Sequence, residues 1–278
     1  MKKINKPDIK QEDICKCFDD FKYQDRVIVK SKAYDQDFSN VKLFFADEKS
    51  FMTTNIDYSK YMKDTYKNRF SRKNSPSYQY YEKIRSTQRS CPYCNFPTRS
   101  VKELDHYLPK SQFPTFAVTS NNLVPICKDC NDIKEDYYDT EFSRMLIHPY
   151  YDNIEGVFDF LKCRIIENIS IGFEFYIDKL STWDGLFYER VRFHFDKLKI
   201  EDLYRSDFEA EFVVKFEEIK MLYEEESNAD HVRESLNRRR KSLLNTMSRP
   251  WEYAGLTSII ESSWFFDYYL PIKVLGHL

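Results

Sequence analysis

A chain of 278 residues, 42% hydrophobic and 32% charged, is long enough for one large domain or two ordinary ones with proper cores, which excludes disorder as the dominant state. Its mean hydropathy of −0.65 and the lack of an apolar run near the roughly 20 residues a bilayer crossing needs exclude a membrane-spanning helix. Its start, Met1-Lys2-Lys3-Ile4, leads into charged residues and not the apolar block of a secretory signal, so a cytoplasmic protein is expected. A net charge of −2 and a pI near 6.3 give no global attraction to nucleic acid, so any polyanion contact must be local.

Five glycines and 10 prolines against 21 tyrosines and 23 phenylalanines favour helices over a many-turned β chain. Residues 1–75 read as a helical, charged N-terminal region. Residues 76–89 read as a short basic helix, with Ser75 or Ser77 as cap, Pro76 in the first turn and Tyr80, Tyr81 and Ile84 on one face. From 91 to 135 the pattern changes to a knuckle, a strand-like run from Val101 to Leu108, a second run Leu123-Val124-Pro125-Ile126 and a polar helix from Cys127 or Lys128. This compact strand-strand-helix unit sits within an expected module at 76–150. Beyond it, 151–278 reads as a mainly helical C-terminal region. It carries a short hairpin of strands at 156–166 and 171–177, then helices near 186–198, 207–226, 232–247 and 251–266. Charge is blocky: 67–90 and 231–250 are basic, while 201–230 is strongly acidic.

Seven cysteines without an export signal point to metal or redox use and away from a disulfide scaffold. Four fall in two pairs, Cys91-Pro-Tyr-Cys94 and Cys127-Lys-Asp-Cys130. Two such pairs suit tetrahedral Zn2+, because a two-residue spacer lets both sulfurs of a knuckle face one point. A redox motif needs one pair, not two, and a closed four-thiolate site leaves no position for water, so zinc here is expected to be structural. Cys15, Cys17 and Cys163 have no partner at ligand spacing, and Cys163 reads as a buried strand residue.

The segment enclosed by the cysteines carries Leu104-Asp105-His106-Tyr107-Leu108-Pro109-Lys110, then Asn122-Leu123-Val124-Pro125-Ile126, and directly after the last cysteine Asn131-Asp132-Ile133-Lys134. Over residues 91–135 the chain resembles the HNH endonucleases. The resemblance implies an α+β, mainly helical protein, with a zinc-clamped ββα-metal HNH module flanked by helical N-terminal and C-terminal regions. The activity it implies is metal-dependent hydrolysis of phosphodiester bonds, in DNA ahead of RNA. His106 would be the general base, since a neutral imidazole with an ordinary pKa near 6.5 can take a proton from water. Asp105 and Asn131 would hold Mg2+ or Mn2+ through hard oxygens. Asn122 would brace the loop bearing the base, and Lys134, three residues past Asn131 and so on the same helix face, would meet a phosphate, with Lys110 a weaker candidate for that work. Successive strand residues face opposite ways, so bringing Asp105 and His106 to one point requires an irregular turn at 105–109, for which Pro109 is a cause.

Family members commonly carry glycine after the second zinc cysteine, where this chain has Asn95, the next best residue for positive φ. The flanking segments more loosely resemble bacterial anti-phage defence HNH proteins of the Septu type, which implies an ATPase partner. His148 is read as structural, and His194 and His231 receive no role. The competing reading is a zinc-stabilised nucleic-acid-binding subunit that has lost catalysis. Basic residues in Lys67–Lys73 and in the 76–89 helix lead into the first knuckle and are expected to hold duplex backbone.

Overall fold

The computed structural model describes residues 1–226 and 228–276. Its helices are α1 (Gln11–Lys16), α2 (Gln24–Gln36), α3 (Val41–Thr54), α4 (Tyr58–Thr65), α5 (Tyr78–Arg85), α6 (Lys128–Lys134), α7 (Val157–Phe160), α8 (Gly185–Lys197), α9 (Ile200–Glu226), α10 (Ala229–Asn245), α11 (Pro250–Glu261) and α12 (Leu270–Leu275). Four strands, β1 (Glu103–His106), β2 (Leu123–Ile126), β3 (Leu161–Ile166) and β4 (Gly172–Ile177), form two antiparallel pairs, β1 with β2 and β3 with β4. The fold is therefore α+β and mainly helical. No helix among the described residues is long and apolar enough to cross a membrane.

The chain divides into two compact units. The first comprises Met1–Glu155 with Gly185–Leu198, and the second Gly156–Asp184 with Lys199–Leu278. The regions expected at 1–75 and 76–150 thus share one unit, and α8 joins them. The cause is a common core. The N-terminal helices bury residues at helical spacing, Val27, Ser31 and Tyr34 on α2 and Tyr58, Met62 and Thr65 on α4. These helices contribute Val27, Tyr58 and Met62 to a cluster that also holds Ile84 of α5, Leu104 of β1, Leu123 of β2, and Ala117 and Val118 from the 3-10 helix Pro114–Val118. Each strand of the β1–β2 pair has only four residues, and a two-stranded hairpin is marginal alone. Burial against the helices supplies what the strands lack.

In the second unit, β4 buries Phe173, Phe175 and Ile177 at the two-residue period of a one-sided strand. Phe173 meets Phe208 and Phe212 of α9 at ring-centroid separations of 4.7 and 5.0 Å. Gly255 of α11 lies against the Phe208 ring so closely that a Cβ there would fall 2.3 Å from the Phe208 Cζ atom.

Three local expectations are corrected. The segment expected to begin a strand at 156 starts with Gly156 at φ +73°, whose carbonyl accepts from Asp159 and Phe160, so a helical turn forms and the strand begins only at Leu161. The last helix does not run through 251–266. It stops at Glu261, and the Ser262 hydroxyl accepts from the Phe265 amide to start a new segment. Cys163, expected to be buried, is only partly covered.

Candidate functional site

The first knuckle closes locally. Asn95 donates its amide to the Cys91 carbonyl at 2.8 Å and adopts φ +54°, the left-handed turn anticipated for this position. The second pair is set by α6, with Cys127 at its N-cap position and Cys130 in its first turn. All four cysteines are buried and their Sγ atoms lie within 4.8 Å of one another. Sulfurs arranged tetrahedrally at about 2.3 Å from zinc would be about 3.8 Å apart, so this cluster fits the ion with little adjustment. Burial opposes ionisation of Cys91, yet hydrogen bonds from Cys127, Cys130 and Cys94 outweigh it and hold that thiol well below its ordinary range. Cys130, which donates to Cys127, Cys91 and Cys94 and is buried besides, is pushed up. Soft thiolates in a closed set select zinc and leave no open position for chemistry.

His106 ends β1 and is 6% exposed. Its Nε2 lies 2.9 Å from the Ala117 carbonyl. A carbonyl only accepts, so Nε2 carries the proton and Nδ1 keeps its lone pair. Burial, followed by the Lys110 ammonium, lowers the His106 pKa well below 6.5; the Ala117 carbonyl opposes the shift and Lys134 adds to it. The ring is therefore neutral at physiological pH. Tyr66 packs on it with centroids 4.4 Å apart, and the Lys110 ammonium lies 5.4 Å from the Tyr66 ring centroid.

Asn122 is fully buried at the mouth of β2 and uses both ends of its carboxamide. Its Oδ1 accepts from the Leu108 amide at 2.8 Å, and its Nδ2 donates to the Leu108 and Phe116 carbonyls at 3.0 and 3.2 Å. It thereby ties the loop after His106 to the 3-10 turn whose Ala117 carbonyl orients the imidazole.

Asp105 faces the other side of β1. Its Oδ2 accepts from the Tyr93 hydroxyl at 2.7 Å and its Oδ1 from the Lys134 ammonium at 2.9 Å. Lys134 also donates to the His106 carbonyl at 3.0 Å and is 1% exposed. The expectation that Lys134 meets a phosphate is corrected here. A carboxylate 4% exposed needs a counter-charge, and the inner face of α6 supplies it. The irregular turn expected at 105–109 starts only after His106, so Asp105 and His106 remain regular strand residues on opposite faces.

Asn131 donates to Glu103 Oε2 at 2.5 Å. The structure thus sorts the expected site residues into three sets: Asp105 with Tyr93 and Lys134, Asn131 with Glu103, and His106 with Asn122 through the loop. Glu103 escaped the sequence reading although strand alternation places it on the same face as Asp105. Tyr93, inside the first knuckle, also escaped it. So did His194 of α8, which is buried, donates from Nε2 to the Tyr93 carbonyl at 2.9 Å and accepts the Ile147 amide at Nδ1. His148 is buried between Tyr34 and Tyr150, in keeping with a structural role.

The oxygens of Glu103, Asp105 and Asn131 are of the hard class that suits Mg2+ or Mn2+. With Asp105 as a ligand, the ion and the Lys134 ammonium compete for Oδ1. The ion pair also predicts a stability effect. Lys134→Met leaves a buried carboxylate uncompensated and is expected to cost about 3–5 kcal/mol. In urea denaturation the double variant Asp105→Asn/Lys134→Met should recover most of that loss. A single variant as stable as the parent would show that the pair does not hold β1 to α6.

Residues 91–136 match the HNH endonuclease family. Over 147 residues the chain is 30% identical to protein ea31 of Escherichia phage lambda, in an alignment covering 51% of this chain and 49% of that protein; the chain spans about half the length of the curated relative it matches. No solved structure matches the chain.

Proposed function

We propose that this protein is a metal-dependent endonuclease that hydrolyses phosphodiester bonds in DNA, leaving a 5′-phosphate and a 3′-hydroxyl. The observation that carries this reading is His106: within the matched HNH domain, its Nε2–H is fixed on the Ala117 carbonyl and its Nδ1 lone pair is left to accept a proton from water. Asn122 fixes the loop, and Tyr66 fixes the ring plane. Asp105 and Asn131, with Glu103 alongside, would hold Mg2+ or Mn2+, which neutralises charge on the phosphate when bound. The zinc cluster contributes no step and keeps the two strands and α6 in register.

A second reading, a catalytically silent nucleic-acid-binding subunit, draws on one observation: the Lys134 ammonium sits on the carboxylate assigned to the metal. Incubating supercoiled plasmid with the purified full chain separates the two. Nicking that depends on added Mg2+ or Mn2+ supports the first reading; intact plasmid across both metals supports the second.

The pH dependence follows from the same ring. A depressed pKa means that the base form is already dominant near pH 6.5, so the His106-dependent rise in rate is expected entirely below that value, with a plateau from about pH 7 upward. Single-turnover rates between pH 5 and 8.5 test this; a rising limb centred above pH 7 would contradict the environment assigned to His106. The narrower role, an anti-phage effector working with an ATPase partner, rests on the resemblance of the flanking segments. Phage plating efficiency with and without neighbouring genes and a His106 variant tests it.

A further inference from the structure

The chain carries two basic blocks, and the fold treats them oppositely. In 231–250, each of the five arginines has a carboxylate within 4 Å, among them Arg238 with Glu234 and Arg239 with Glu252 at 2.7 Å each. That block is neutralised internally. Between 60 and 73 there are six cations, Lys60, Lys63, Lys67, Arg69, Arg72 and Lys73, against one acid, Asp64. Among the described residues none of the six forms an ion pair, and all six stand at exposed positions, as does Asp64. Arg69 donates only to the Asp19 carbonyl, and Lys73 acts on Glu82 at longer range.

This cationic segment is tied to the site. It includes the π-helix Tyr66–Phe70, an uncommon conformation that recurs at functional positions. The first residue of that helix is the one whose ring rests on His106 at 4.4 Å. Downstream, Asn68, Arg69, Arg72, Lys73 and Ser75 line a recess of about 380 Å3, large enough for a phosphate group. By contrast α5, the other basic element entering the knuckle, spends its charges internally, with Arg85 on Glu82 at 2.6 Å and Lys83 on the Asp8 carbonyl at 2.7 Å.

We propose that the ridge Lys63–Lys73, outside the matched HNH domain, is the duplex-binding surface of this protein and tracks the DNA phosphate backbone into His106. The proposal rests on the nuclease reading for the role of His106. Its charge logic is independent of that reading: unpaired cations on one element release counterions from a polyphosphate, and paired ones do not.

The test is binding of the full chain to a fluorescein-labelled duplex, by anisotropy, across salt concentrations and without added Mg2+ or Mn2+. The triple variant Lys67→Gln/Arg72→Gln/Lys73→Gln is expected to weaken binding on the order of 100-fold at 0.1 M salt and to flatten the salt slope by about 2.5, as three lost phosphate contacts require. The triple variant Arg233→Gln/Arg238→Gln/Lys241→Gln is expected to bind as the parent does. An unchanged slope in the first triple variant, or an equal loss in the second, overturns the proposal. His106→Gln, measured in this binding assay and in plasmid nicking with Mg2+ or Mn2+, keeps the two readings apart: retained binding with lost cutting upholds both, while retained cutting removes the base assignment and leaves the ridge standing.

Discussion

Replacing Cys91 or Cys130 by serine is expected to unfold the first unit and to lower the melting temperature more than any other single substitution in the chain, with loss of about one equivalent of zinc. Four buried sulfurs have no apolar alternative of equal worth. Without the ion the ionised thiolates repel in a dry site, and protonated they leave the knuckle with little to hold it. Structural zinc contributes about 10–16 kcal/mol of apparent binding free energy near neutral pH, more than the whole stability of a typical domain, about 5–15 kcal/mol. The loss does not stay local, because Leu104 and Leu123 of the clamped strands are members of the core shared with Val27, Tyr58 and Met62. The second unit holds none of the four ligands, so a helical signal from α9, α10 and α11 is expected to survive. Zinc content by atomic absorption, with thermal melts of parent and variant, decides the matter. A zinc-free Cys91→Ser protein that melts with the parent would remove the clamp.

The parts of the site that could be read from the sequence are those fixed by short-range chemistry. The cysteine spacing demands a convergent cluster, Asn95 tolerates the positive φ its knuckle needs, and the runs from Val101 to Leu108 and at 123–126, with a polar helix from Cys127 or Lys128, are formed as strands at 103–106 and 123–126 and a helix at 128–134. Positions that escaped depend on which way a face looks. Helical spacing placed Lys134 on the face of Asn131, but spacing does not say whether that face meets solvent or β1; the buried Asp105 carboxylate decides it. Glu103 was within reach of strand alternation once Asp105 had been singled out. Tyr93 and His194 were not, since a contact spanning 101 residues leaves no local pattern. β3 starts later than the run from 156 suggests because Gly156 takes the left-handed turn that glycine permits.

Removing the base is expected to lower the cleavage rate on the order of 100- to 10,000-fold, the usual worth of a positioned proton acceptor. The choice of variant matters. His106→Ala also deprives the buried Ala117 carbonyl of its donor, which is expected to cost about 1–3 kcal/mol of stability and would blur the reading. His106→Gln is the sharper test. Its amide nitrogen can reach the position of the imidazole Nε2 and keep the bond to Ala117, while nothing replaces the Nδ1 lone pair. The Gln variant should therefore melt close to the parent, retain its zinc and fail to nick supercoiled plasmid under single-turnover conditions with Mg2+ or Mn2+. Asn122→Ala acts through the loop and not the proton: losing three buried hydrogen bonds, it should lose both stability and rate. Parental cutting by His106→Gln would show that the water is activated elsewhere, and the domain would then have to work through its oxygen donors alone.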